Sequence, residues 1–122
     1  MKAVSLTPML RTWDLPGSIE FYRHVLGFEC KAHEPERGWA SLTCGPVTLM
    51  LAGPNEHEGD VAPEFTGSLY FRVDNVDAMW SQLKAHARVC YPIETFEYGM
   101  REFAIYDNNG YLLQFGQAVD GA

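Results

Sequence analysis

Residues 5–27, SLTPMLRTWDLPGSIEFYRHVLG, and residues 66–87, TGSLYFRVDNVDAMWSQLKAHA, each run from an alternating stretch through an acidic turn into an amphipathic helix. Shifted by about 61 positions, Leu10 falls on Phe71, Thr12 on Val73, Leu15 on Val76, Ile19 on Trp80 and Tyr22 on Leu83, so apolar positions mostly meet apolar ones. The chain is therefore expected to fold as two similar halves, and a chain built that way presents equivalent positions twice.

Working outward, residues 3–12 predict a strand in which Val4, Leu6, Pro8 and Leu10 alternate with Ser5, Thr7, Met9 and Arg11. A helix follows, with Asp14 as N-cap, Pro16 in the first turn, the stripe Ile19, Tyr22, Val25 and Leu26, and Gly27 as its stop. Short strands are predicted over Phe28–Ala32, Trp39–Cys44 and Val47–Leu51, the last two joined by Cys44-Gly45-Pro46. The second half repeats this order: strand Gly67–Val73, helix from about Asn75 to His86, strand near Tyr91–Phe96, strand Arg101–Tyr106, the turn Asp107–Gly110 and strand Tyr111–Gly116. The expectation is an α+β fold of two βαβββ modules, about 1–55 and 66–118, in one domain spanning 1–122. Residues 52–66, rich in Gly, Pro and acids, form the linker and are a candidate lid.

A chain of 122 residues with 47% hydrophobic and 20% charged residues has the composition of an ordinary globular protein. No apolar run approaches the ~18 residues a membrane span needs, and the N-terminus has no signal-peptide core, which points to the cytoplasm. The net charge of −7, with nine scattered basic residues, disfavours nucleic acid as a partner. Cys30, Cys44 and Cys90 lack CxxC spacing and read as buried free thiols.

Alternation assigns one face of the strands to Leu6, Leu10, Ala40, Leu42, Val47, Leu49, Leu51, Leu69, Phe71, Val73, Phe103, Ile105, Tyr111, Leu113 and Phe115, which would cover the helices. The opposite face carries Thr7, Arg11, Trp39, Ser41, Met50, Ser68, Tyr70, Arg72, Glu102 and Gln114 among others. Hydroxyls, a thioether, aromatic rings and few charges there describe the wall of a small-molecule pocket, or a sheet covered by a partner subunit. Glu102 is the only acid on that face, with Arg72 or Arg11 as its expected ion-pair partner; left unpaired, it is a weak candidate base for a proton shift. No His joins Ser41 or Ser68 there, which argues against a triad, and no Gly-rich loop opens a helix for phosphate.

Leu6-Thr7-Pro8-Met9-Leu10, Asp14-Leu15, Ser18–Tyr22 and Val25–Phe28, followed by Gly99–Phe103, Asp107, Asn109-Gly110 and Gln114-Phe115, resemble the vicinal-oxygen-chelate superfamily. That superfamily contains glyoxalase I, bleomycin-resistance proteins and extradiol dioxygenases, and the later motifs most resemble its bleomycin-resistance branch. The resemblance implies paired modules closing into a half-barrel sheet with helices outside, usually as a homodimer that exchanges its N-terminal strand near a Pro such as Pro8. It also implies four positions for a divalent ion, which fall here on Thr7, Met50, Ser68 and Gln114. Neutral hydroxyls, a thioether and one amide suit such an ion poorly, so no metal and no cofactor is expected. The Glu56-His57-Glu58 triplet reads as a solvated acidic loop rather than an ion site. The implied function is a metal-free, antibiotic-resistance-like binder of a small organic, cationic aromatic ligand. Arg11, Trp39, Met50, Ser68, Tyr70, Arg72, Glu102 and Gln114 are its expected lining, with Trp39, Tyr70 and Tyr106 available to stack. The rival implication is a lyase, isomerase or dioxygenase with a non-standard site using Glu102.

Overall fold

The computed structural model describes residues 1–54 and 62–119, and the chain divides into two compact units, Met1–Glu64 and Phe65–Ala122. The first unit contains β1 (Met9–Arg11), α1 (Leu15–Glu20) continued by a π-helical turn over Phe21–Val25, β2 (Glu29–Glu34), β3 (Trp39–Cys44) and β4 (Val47–Ala52). Its sheet runs β1-β4-β3-β2, with β1 parallel to β4 and the other pairs antiparallel. The second unit contains β5 (Leu69–Arg72), α2 (Val76–Leu83), β6 (Arg88–Thr95), β7 (Met100–Tyr106) and β8 (Leu112–Ala118), in the order β5-β8-β7-β6. Each unit is thus one βαβββ module, and the class is α+β.

The repeat has local causes. Asp14 accepts the Gly17 N–H at 3.0 Å and Asn75 accepts the Ala78 N–H at 3.1 Å, so each helix starts where a short polar side chain satisfies an otherwise orphaned donor. Gly27, at φ 82°, ends the first helical segment in a left-handed conformation that a β-carbon would oppose. Helical apolar residues then meet the sheet of their own unit. In the first, Ile19 and Tyr22 are buried with Leu10, Ala40, Leu42, Leu49 and Leu51, and the Tyr22 ring meets Phe28 edge-on at 5.6 Å. In the second, Phe103 stacks on Phe115 at 5.1 Å and touches Trp80 at 5.2 Å, while Phe71 stacks on the other side of Phe115. Such ring pairs add about 0.5–1.5 kcal/mol each beyond the area they bury.

Several expectations change. β1 is three residues long, not ten, and Val4 and Leu6 are 94% and 89% exposed, so Leu6 does not join the buried face. Pro8 lacks an N–H, and its carbonyl accepting from Met50 at 2.9 Å is the last backbone link before the chain leaves the sheet. Val47, beside the β3–β4 turn, is exposed as well. Cys44 and Cys90 are exposed rather than buried, one at the end of β3 and one on the edge strand β6; all three cysteines are free. α2 ends at Leu83, and His86 closes a turn by donating its N–H to the Leu83 carbonyl. Residues 55–61, including His57 and most of the candidate lid, lie outside the described residues.

Phe103→Ala is expected to destabilise the second unit by about 3–5 kcal/mol, through lost burial and the cavity left between Trp80 and Phe115. Asn75→Ala is expected to remove about 1 kcal/mol by uncapping α2. Urea denaturation of each variant, followed by circular dichroism, measures both.

Candidate functional site

The polar face of the second unit is organised in two rows across its sheet. Tyr70, Gln114, Ala104 and Tyr91 are successive partners, and so are Arg72, Gly116, Glu102 and Glu94. At the centre stands Glu102, only 2% exposed. Tyr70 donates its hydroxyl to Glu102 Oε1 at 3.0 Å, and Tyr91 donates to Oε2. Gln114 Nε2 donates to the Tyr91 oxygen at 2.9 Å and reaches Glu102 Oε2 at 3.5 Å, while Ser68 donates to Gln114 Oε1. The donors therefore run in one direction, from Ser68 through Gln114 and Tyr91 to the carboxylate, with Tyr70 arriving from the other side.

Two small residues make this convergence possible. Ala104 lies between Gln114 and Tyr91 in the register, leaving room for their side chains to meet. Gly116 lies under Tyr70: a β-carbon there would stand 1.9 Å from the Tyr70 hydroxyl oxygen. The Tyr70 ring can cross β8 to Glu102 only because that position has no side chain.

Beside Glu102 opens a cavity of about 300 Å³ lined by Tyr91, Glu94, Phe96, Tyr98, Glu102 and Gln114. Tyr91 meets Phe96 edge-on at 5.8 Å, and Phe96 stacks on Tyr98 at 5.4 Å with the planes 9° apart. The tight connection from β6 to β7 holds these rings: Phe96 N–H donates to the Met100 carbonyl, and Gly99, at φ 85°, donates to the Phe96 carbonyl.

The carboxylate also sets the acidity of its donors. Burial first, and then the bond to Glu102, pushes the Tyr70 phenol from its ordinary value up to about 12. The same two causes, in the same order, push Tyr91 higher still. Both hydroxyls keep their protons across the physiological range and act as donors.

Of the expected lining, the second unit brings Ser68, Tyr70, Glu102 and Gln114 into one network. Arg72 is on the same row but donates to Met100 Sδ at 3.8 Å. Arg11, Trp39 and Met50 belong to the first unit, where Arg11 donates to the Gly53 carbonyl at 2.9 Å. Arg72 does not pair with Glu102, which corrects that expected ion pair: neutral phenols and an amide of the same unit satisfy the carboxylate instead. Tyr106 goes elsewhere, its ring under the Arg88 guanidinium at 4.2 Å and its hydroxyl on Cys90 Sγ at 3.2 Å. Tyr91, Glu94, Phe96 and Tyr98 were not anticipated. The register of β6 shifts between Val89 and Tyr91 and again between Tyr91 and Glu94, so simple alternation cannot assign its faces. The available signal was compositional: three rings and two acids within residues 91–98.

The four positions at which the resembled superfamily holds an ion do not fit one here. In the second unit the amide oxygen of Gln114 already accepts from Ser68. The first unit offers Thr7, before β1, and the thioether of Met50, a residue that lies opposite Met9 in the β1–β4 ladder. None of the four supplies charge or imidazole.

Residues 5–115 match the model of the Glyoxalase/Bleomycin resistance protein/Dioxygenase superfamily, and the chain belongs to that superfamily. No curated protein matches the chain by sequence. Among solved structures, a glyoxalase/bleomycin resistance protein/dioxygenase from Nocardioides superposes with a TM-score of 0.80 at 20% identity, covering 100% of this chain and 88% of that one. TioX from Micromonospora sp. ML1 gives 0.77 at 19% identity over 96% and 100% of the two chains. Lactoylglutathione lyase from Agrobacterium tumefaciens gives 0.75 at 23% identity over 95% and 94%. At these identities the likeness is one of fold.

The phenols generate a prediction at high pH. Below about pH 10 both are protonated in folded and unfolded chains alike, and their contribution is complete. As pH rises from 10 through 12 the unfolded chain releases protons that the folded one retains, so stability falls. Tyr70→Phe and Tyr91→Phe should each make that fall less steep and remove one late-ionising phenol from the ultraviolet absorbance titration. Gly116→Ala should return the Tyr70 phenol toward its ordinary value by forcing the ring off Glu102.

Proposed function

We propose that this protein is a metal-independent binder of a small organic molecule carrying a planar ring and positive charge, held in the cavity of the second unit. The supporting observation is the pairing of Glu94 with Glu102, opposite one another on β6 and β7, in a cavity that the rings of Tyr91, Phe96 and Tyr98 also line. Like charges opposite one another on a sheet repel, and among the described residues neither has an ion-pair partner. A cation within the cavity relieves that repulsion, and a planar ring extends the stack begun by Phe96 and Tyr98. A cavity of about 300 Å³ is at the lower end of ordinary ligand sites, which favours a single ring system or one end of a longer molecule.

Glu102 is poorly placed as a general base. Its two oxygens already accept from Tyr70, Tyr91 and Gln114, so taking a substrate proton would first require breaking one of those bonds. The ligand is therefore proposed to leave unchanged. A second copy of the chain is the proposed partner, supported by the exposed Val4 and Leu6 ahead of β1.

A panel of planar organic cations, titrated while intrinsic emission is followed and confirmed by equilibrium dialysis, should show saturable binding with one site per chain. Glu94→Gln should weaken it about three- to tenfold. Mass spectrometry should recover the bound compound intact. Absence of binding across the panel, or conversion of the ligand that collapses in Glu102→Gln, would overturn the reading. Sedimentation velocity should give a dimer that Leu6→Asp dissociates.

A further inference from the structure

We infer that Glu102 is a positioning residue whose oxygens are engaged by its own neighbours, and that its buried charge acts through the Tyr91 phenol to make the site select delocalised or methylated cations over primary ammonium groups. This rests on the binding reading above and specifies the ligand class for that site.

The argument begins with the acceptors. A primary ammonium carries three N–H donors and needs oxygens to receive them when it leaves water. Glu102 Oε1 is taken up by Tyr70 and Oε2 by Tyr91 and Gln114, and the side chain is 2% exposed. Gln114 Oε1 receives Ser68. Each oxygen at the inner end of the cavity already accepts at least one hydrogen bond, so a primary ammonium there must share them with donors already in place, and the exposed carboxylate of Glu94 is the acceptor left to it.

A quaternised heterocycle needs no acceptor. It needs ring faces with negative potential, and these are present: Tyr91, with Phe96 edge-on to it and Tyr98 stacked on Phe96. A phenol that donates to a carboxylate is polarised toward its phenolate, which enriches the ring in electrons. The Ser68–Gln114–Tyr91–Glu102 chain, with every donor pointing the same way, reinforces that polarisation. Glu102 thus strengthens the attraction of the Tyr91 face for a cation. Glu94, exposed on the cavity wall, is the carboxylate that approaching cations meet, and its influence is screened by salt.

Calorimetric titration with three probes of nearly equal size tests this at pH 8: 1-methylquinolinium, protonated 1-naphthylmethylamine and uncharged 2-methylquinoline. The wild-type protein should prefer 1-methylquinolinium over each of the others by about three- to tenfold. Glu102→Gln and Tyr91→Phe should each reduce the preference for 1-methylquinolinium over both other probes, a change of selectivity that general loosening of the site would not produce. Glu94→Gln should weaken both cations and flatten their salt dependence while keeping their order. If no probe binds the wild-type protein, the binding function itself fails. If the probes bind but 1-naphthylmethylamine wins, or if both variants retain the wild-type preference, only this inference is overturned. Tyr91→Phe leaves both carboxylates in place and decides the matter even if Glu102→Gln does not fold.

Discussion

A carboxylate withdrawn from water without a counter-ion must receive hydrogen bonds from its surroundings, and in the second unit that demand organises everything near Glu102. Tyr70 and Tyr91 meet it with phenols and Gln114 with an amide. Each then imposes a condition of its own. Tyr70 must cross β8, so position 116 has to be Gly. Gln114 must direct nitrogen toward Tyr91, so its oxygen faces the strand start, where Ser68 donates to it. Among the described residues no buried side-chain nitrogen or oxygen is left without a partner, which is the condition under which a buried polar network confers rigidity rather than strain.

The first unit shows how much of this chemistry belongs to residues rather than topology. Its rows have the same construction: Met9, Met50 and Ser41 correspond to Tyr70, Gln114 and Ala104, and Arg11, Ala52 and Trp39 correspond to Arg72, Gly116 and Glu102. Where the second unit has a buried acid, the first has an indole; where one has an amide, the other has a thioether. The same fold therefore carries an anionic network once and a weakly polar surface once. That is why membership of the superfamily settles the architecture and leaves the chemistry to be argued from side chains.

The architecture was legible because it rests on short-range signals that survive the fold: Asp14 and Asn75 as caps, Gly27 as a stop, and strict alternation in β3 and β4, whose core positions Ala40, Leu42, Leu49 and Leu51 are buried as the period requires. The equivalence of the halves extends to Met50 and Gln114, since their strand partners Met9 and Tyr70 lie 61 positions apart. The period-2 rule failed where the backbone departs from a regular ladder. Pro8 ends β1 early and leaves Leu6 in solvent; two register shifts in β6 hide Tyr91 and Glu94. The partners of Glu102 were hidden for another reason. An arginine on a neighbouring strand is the usual companion of a lone carboxylate, and nothing in the sequence says that Gly116 opens a path for Tyr70 instead.

The position of Glu94 completes the argument about charge. A sheet chosen only for stability would not register two glutamates face to face, because their repulsion raises the energy of the empty protein and among the described residues neither forms an ion pair. Arg101, next to Glu102 in sequence, points to the other side of β7 and is held by Asp77 at 3.0 Å, with Thr95 as a further partner. Arg101 is thus directed away from the acids, and the aromatic residues Tyr91, Phe96 and Tyr98 share the cavity with them instead. Negative charge kept beside ring faces is the complement of a positive, planar group, which is the physical ground of the proposed ligand class.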